Sequence, residues 1–170
     1  LHQIGGQGVF VKEVQQAVLD GQADLAVHSA KDLPSLQTDG LVVGAWCTRR
    51  DARDALVGNT LSDLKQGATV ATGSVRRRAQ LLTMRPDLRF IDLRGNINTR
   101  LGKVPDGGAI VMAVAALEVL GLTDQIAQIL DPSVVVPMIG QGCVAVECRV
   151  GDATTQAALH AVDHAATRRA

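Results

Sequence analysis

The sequence predicts an α/β fold with mainly parallel sheets. Short apolar runs alternate with helix-patterned segments along the chain, the order that βαβ units give. Aromatic residues make up only 2% of the chain, so the core must come from Val, Leu, Ile and Ala, as in buried strands covered by helices. Polar clusters stand directly after three of the predicted strands, where open α/β sheets hold their ligands.

After the glycine-rich "GGQG", the segment "VFVKEVQQAVLDG" places apolar residues at Phe10, Val14, Ala17 and Val18 and closes on Gly21. That is the pattern of an amphipathic helix with a glycine C-cap. "ADLAVHS" reads as a short buried strand and "LVVGAWC", 41–47, as a second. The charged "TRRDARD" is read as a crossing between lobes. Beyond it come the strand "ATVATG", the helix "SVRRRAQLLTMR" with Ser74 as N-cap, the strand "LRFIDL" and the polar turn "RGNINTR". The strand "AIVMAVA", the helix "AALEVLG" and a helix "DQIAQIL" capped by Thr123 follow. An extended "SVVVPMI", the turn "GQG", the strand "CVAVECR" and a helix from about Asp152 complete the pattern.

Formal net charge is zero, from 17 basic and 17 acidic residues, which argues against a general polyanion binder but leaves room for a local basic cluster. The longest apolar runs fall well short of the roughly 20 residues that span a bilayer, so no membrane insertion is expected. Cys47, Cys143 and Cys148, in a chain without a signal-like start, point to reduced thiols and a cytoplasmic location. They lack a second Cys or His pair at zinc spacing, so no metal site is expected.

The basic cluster exists. From Arg76 to Arg100 there are arginines at 76, 77, 78, 85, 89, 94 and 100 and no lysine, against the two acids Asp87 and Asp92. A planar guanidinium grips a carboxylate or phosphate with paired hydrogen bonds, so this choice suits a multiply charged anion. In "TGSVRRR" a helix N-terminus capped by Ser74 adds free backbone N–H groups. A solvated helix face is the competing reading for Arg78, Arg85 and Arg89; Arg76, Arg77, Arg94 and Arg100 lie near strand ends. The scarcity of stacking aromatics argues against single-stranded nucleic acid, and a phosphate loop is a poor match without the Gly-Lys-Ser/Thr ending after "GGQG". A small polycarboxylate remains. In "VHSAKDLP", Asp32 is a candidate catalytic carboxylate, with a structural turn and a core His28 as the alternative.

In order along the chain, "GGQGVFVKE", "ADLAVHSAKDLP", "RRDARDALV", "TGSVRRRAQL", "RPDL", "LRGNINTRL" and "GQGCVAVECR" resemble the porphobilinogen deaminase (hydroxymethylbilane synthase) family over essentially all 170 residues. The resemblance implies a two-lobed, periplasmic-binding-protein-like (type II) α/β core, with a first lobe of 1–47 plus 143–170, a second of 48–142, and a third domain outside this sequence. It implies a monomeric transferase of tetrapyrrole and haem biosynthesis that condenses four molecules of the small substrate porphobilinogen head to tail, releasing ammonia. The chain grows on a dipyrromethane cofactor joined to a cysteine of the third domain, so Cys47, Cys143 and Cys148 are not the attachment site and this fragment alone is expected to be inactive. Asp32 matches the catalytic aspartate. Ser29, Lys31, Thr72, Ser74, Arg76 and Arg77 match cofactor-binding positions, and Lys12, Arg94 and Arg100 substrate-binding ones.

Three departures stand out. Gln7 replaces a common lysine, Val119 replaces a substrate-side arginine, and "VPDGGAIVMA" is about two residues short of the family loop. They motivate an alternative of another class, a divergent non-catalytic module that binds polycarboxylates or pyrroles.

Overall fold

The computed structural model describes residues 7–169, beginning with helix α1 (Gln7–Leu19). The chain reverses after α1 at Gly21, whose φ of 72° lies in the left-handed region that favours glycine. Strand β1 (Leu25–Ser29) runs into a single 3-10 turn, Ala30–Asp32, and β2 (Leu41–Trp46) follows. Next come β3 (Asp54–Gly58), β4 (Thr69–Ala71), α2 (Val75–Met84), β5 (Arg89–Ile91), α3 (Ile97–Leu101), β6 (Ala109–Ala113) and α4 (Val114–Val119). The last elements are β7 (Ile126–Ile129), β8 (Val144–Arg149), α5 (Ala153–Leu159) and α6 (Ala165–Arg169).

The chain divides into two units, Leu1–Arg50 with Cys143–Ala170, and Asp51–Gly142. The division falls at Arg50/Asp51, a few residues beyond the 47/48 boundary expected from sequence. The α/β class holds; the five-stranded sheet mixes parallel and antiparallel pairs, and the three-stranded sheet is antiparallel. β4 pairs parallel with β5 and β6, because α2 and α3 return the chain to the same end of the sheet. β3 pairs antiparallel with β6 and β7, and β8 antiparallel with β1 and β2. β8 enters the first unit from the second without a crossover helix, so nothing turns it parallel to its neighbours.

In the second unit the sheet order is β5-β4-β6-β3-β7, and successive residues of its central strands feed two separate cores. Leu56, Val70, Ala109 and Val111 pack on one side with Leu81 of α2; Val57, Ala71, Ile110 and Met112 pack on the other with Leu117 of α4. Burial on both faces is why these strands read as unbroken apolar runs. In the first unit, order β1-β8-β2, alternation is clean: Val146 and Cys148 face Leu159 of α5, while Val18, Ala26 and Leu41 form the core beneath α1.

Four elements differ from the sequence expectation, one being the "SVVVPMI" read as extended, which begins in a turn closed by Val134 and Val135 N–H on Asp131 O. The segment read as a helix, "DQIAQIL", is a 3-10 turn (Thr123–Gln125) and the edge strand β7. Ile126 and Ile129 fit helical spacing, but pairing of Ala55 with Ile129 and a hydrogen bond from Leu61 N–H to Gln128 Oε1 (2.7 Å) hold the segment extended. β3 begins inside what the charges suggested was a linker, since the buried Asp54 is its first residue. The polar turn "RGNINTR" contains α3, capped by Asn96, whose Oδ1 accepts from Thr99 N–H at 2.9 Å.

Gly108 is required by space. A Cβ there would stand 2.1 Å from Thr69 O on the parallel neighbour strand. Gly108→Ala is therefore expected to destabilise the second unit by about 1–3 kcal/mol, or more if the backbone cannot yield. A thermal melt reads this as a clear fall in midpoint, whereas a mutation at Gly67, with nothing within 4 Å, changes only backbone strain.

Candidate active site

In the first unit β1 delivers "SAKD" onto the 3-10 turn. Ala30 N–H donates to Cys143 O at 3.0 Å and Leu33 N–H to Ala30 O at 3.2 Å, so the turn is fixed at both ends. Pro34 then holds Leu33 extended (φ −66°, ψ 144°) and stops the turn from growing. Lys31 and Asp32 are half-buried on this short support, and Ser29 is exposed at the strand end. Asp32 lines a pocket of about 440 Å³ with Lys12, Gln15 and Gln16 of α1 and with Pro34 and Thr38. The sequence signal for Asp32 and the signal for Lys12 thus meet in one cavity. A carboxylate and an ammonium on opposite supports can share proton transfer and charge stabilisation of a bound small molecule.

In the second unit the two remaining clusters share one edge. β4 and β5 are parallel, so "TGSVRR" after one and "LRGNINTR" after the other leave from the same end of the sheet, and Thr72 N–H donates to Ile91 O at 3.0 Å. Thr72 Oγ1 accepts from Ser74 N–H (3.2 Å), and Ser74 Oγ caps α2 by accepting from Arg77 N–H (3.4 Å). Both hydroxyl oxygens act here as acceptors, which leaves each O–H proton to donate.

The adjacent arginines are less open than their sequence suggests. Asp54 is fully buried, and its carboxylate accepts from Arg77 Nε (3.0 Å) and Nη2 (2.6 Å), Arg76 Nη2 (2.7 Å) and Gln141 Nε2 (2.8 Å). Arg77 also donates to Val111 O at 3.0 Å and is 7% exposed. Burial pushes the Asp54 carboxyl up, but the Arg77 charge and the bonds from Arg77, Arg76 and Gln141 outweigh it and hold the group below the usual carboxylate range. Burial draws the Arg77 guanidinium down, against the pull of Asp54, and the charges of Arg76 and Arg100 add to that decrease. Arg77 therefore feels the charges of Arg76 and Arg100 as well as that of Asp54. Arg76 also donates to Val136 O, while its Nε is buried without a hydrogen-bond partner.

Asp54 is the residue that sequence reasoning missed. Its signal was available, as an acid standing directly before the apolar "ALVG". Arg94 is exposed, its side chain 3.9 Å from Asp92, and its carbonyl takes Lys103 Nζ at 3.0 Å. Arg100 on α3 donates from Nε to Gly95 O at 2.8 Å. Arg78 lies 5.9 Å over the Phe90 ring, and Arg85 forks onto Asp87 at 2.8 Å and reaches Leu61 O. Burial pushes the Cys143 and Cys148 thiols up, which suits packing and not nucleophilic attachment. Val119 is exposed on α4, while the side chain of Gln7 lies outside the described residues.

A sequence family described as "Porphobilinogen deaminase, dipyromethane cofactor binding domain" matches residues 1–157. The chain belongs to the porphobilinogen deaminase family. Curated porphobilinogen deaminases are 46% identical in Brevibacillus brevis, 49% in Thermobifida fusca and 44% in Trichlorobacter lovleyi, each alignment covering 100% of this chain. The chain spans 57%, 55% and 56% of those relatives. Among solved structures, a periplasmic sulfonate-binding protein from Methylobacillus flagellatus aligns with 89% of this chain and 50% of its own at 12% identity and TM-score 0.49.

Proposed function

We propose that this chain is the two-lobed part of a hydroxymethylbilane synthase, which condenses four porphobilinogen molecules head to tail with loss of ammonia. The observation that carries the reading is Asp32 on its fixed turn, lining one pocket with Lys12. Porphobilinogen carries acetate and propionate carboxylates and a leaving aminomethyl group. Asp32 is the group that supplies and removes protons as ammonia departs, and its negative charge stabilises the cationic azafulvene that remains. Lys12 and Lys31 take substrate or cofactor carboxylates at this pocket and turn, with Ser29 beside them.

The donor set of the second unit fits a dipyrromethane, a small molecule bearing several carboxylates. Arg76 has an unpartnered buried Nε, Arg100 and Arg94 follow the neighbouring parallel strand, and Thr72 and Ser74 keep hydroxyl protons to give. When bound, the dipyrromethane supplies the primer to which pyrrole units are joined. Arg77, spent on Asp54 and Val111, acts behind Arg76 by fixing the start of α2. The sequence similarity to the family supports a monomer in the cytoplasm; no described helix is long and apolar enough to cross a membrane.

The test is an assay of the full-length protein for porphobilinogen consumption, ammonia release and the tetrapyrrole product. Turnover is expected from the full-length protein and none from these 170 residues alone. A full-length protein that is folded and carries its dipyrromethane, yet leaves porphobilinogen intact while binding polycarboxylates, would replace this reading with that of a non-catalytic binder.

A further inference from the structure

A buried polar chain lies beneath the Asp32 pocket. Glu147 sits on β8, the central strand of the first unit, with its side chain 3% exposed. Its Oε2 accepts from Gln15 Nε2 at 2.8 Å, and Gln15 Oε1 accepts from Thr38 Oγ1 at 3.1 Å. His28 Nε2 lies 3.0 Å from the same Glu147 oxygen, within ion-pair distance but off the line of a hydrogen bond. The register makes the last pair diagonal neighbours on one sheet face: Ala26 stands opposite Glu147 and His28 opposite Ala145. The chain therefore ties together α1 through Gln15, β1 through His28, β8 through Glu147, and the loop before β2 through Thr38.

Packing alone does not call for these residues. The core under α1 is small, built on Val18, Ala26 and Leu41, and Glu147 is taken out of water where an apolar residue of similar volume would cost less. What the polar chain adds is a fixed position. An apolar contact lets a helix slide or rotate by a fraction of a turn at little cost, whereas a bond to a buried carboxylate has one geometry. α1 carries Lys12 and Gln16 to the pocket; β1 runs directly into the turn that carries Asp32; Gln15 and Thr38 are members of both the polar chain and the pocket wall.

We infer that Glu147 is a positioning residue that, through Gln15 and His28, sets the placement of Lys12 relative to Asp32. It touches no reacting atom. This inference rests on the proposed reaction, and one of its measurements does not.

The experiment compares Glu147→Met and Glu147→Gln in the full-length protein. Met fills the volume but strands the Gln15 amide, so the thermal midpoint is expected to fall modestly with the fold retained, while kcat falls by about tenfold or more and KM changes by less than about threefold. Gln keeps a carbonyl to accept from Gln15 and is expected to restore kcat to within about threefold of the parent. Amide exchange at residues 12–16 and 30–33 is expected to accelerate in Glu147→Met and not in Glu147→Gln. A stable Glu147→Met with kcat within about twofold of the parent and unchanged exchange overturns the inference, as does a Gln variant no better than Met. If Glu147→Met does not fold, Gln15→Leu takes its place, with the same loss of kcat expected and an unchanged kcat decisive against. A parent that consumes no porphobilinogen defeats the proposed function, and the exchange data then decide the positioning role alone.

Discussion

Asp54→Ala is expected to be the most damaging single change in the chain, at about 3–5 kcal/mol. Removing the carboxylate leaves the Arg77 guanidinium 7% exposed without its counter-charge, and takes away the acceptor that Arg76 and Gln141 share. The bonds that survive, from Arg77 to Val111 O, Arg76 to Val136 O and Gln141 to Ala52 O, go to neutral carbonyls and supply no counter-charge. The measurement is urea or thermal unfolding of the full-length protein, with a large fall in midpoint or insoluble expression expected; stability within about 1 kcal/mol of the parent would show that the cluster relaxes around water.

The same residue sets a sign for acid. Its folded pKa is depressed, so the stability it contributes is complete above the unfolded value of about 3.9 and is lost as pH falls through the lower folded value. Asp54→Asn should therefore remove part of the steepness of acid unfolding below about pH 4, provided it folds. It should not remove all of it, because hydrogen bonding also depresses Asp87, held by Arg85, and Asp152, held by Thr155.

Asp32→Asn is expected to lower kcat of the full-length protein by about 10²–10⁴-fold while the melting midpoint barely moves. The side chain is half-buried on a turn fixed by backbone bonds to Cys143 and Ala30, so the near-isosteric amide removes the charge and the capacity to take up and release a proton but little of what holds the turn. Porphobilinogen consumption under saturating substrate checks it. Unaltered kcat would take Asp32 out of the reaction and leave Lys31 and Lys12 as binding groups only.

Much of this was legible in the residues. The glycine stop at Gly21, the Ser74 cap and the placement of three polar clusters after β1, β4 and β5 follow from local rules, because turns, caps and strand ends are governed by near neighbours. The helix assigned to 124–130 was misread for lack of a non-local fact, the hydrogen bond from Leu61 N–H to Gln128 and the pairing with β3. The burial of Arg77 was hidden for the same reason. A row of arginines after a strand reads as an open grip until one knows that Asp54, distant in sequence, occupies the fork. Glu147 gave no warning either, as a lone acid within "CVAVECR" fits a solvent-facing strand position equally well.

The threading of the first unit also dictates a timetable for synthesis. Among the described strands β1 and β2 each hydrogen-bond to β8 and not to one another, so on the ribosome neither has this partner until β8 is made. The second unit, drawn from one continuous stretch, has all its strands made before β8. Nascent chains should therefore carry a folded second unit while β1 and β2 still lack β8. The turn bearing Asp32 would take its hold only when Cys143 emerges to accept the hydrogen bond from Ala30, so Asp32 is set in place well after it is translated.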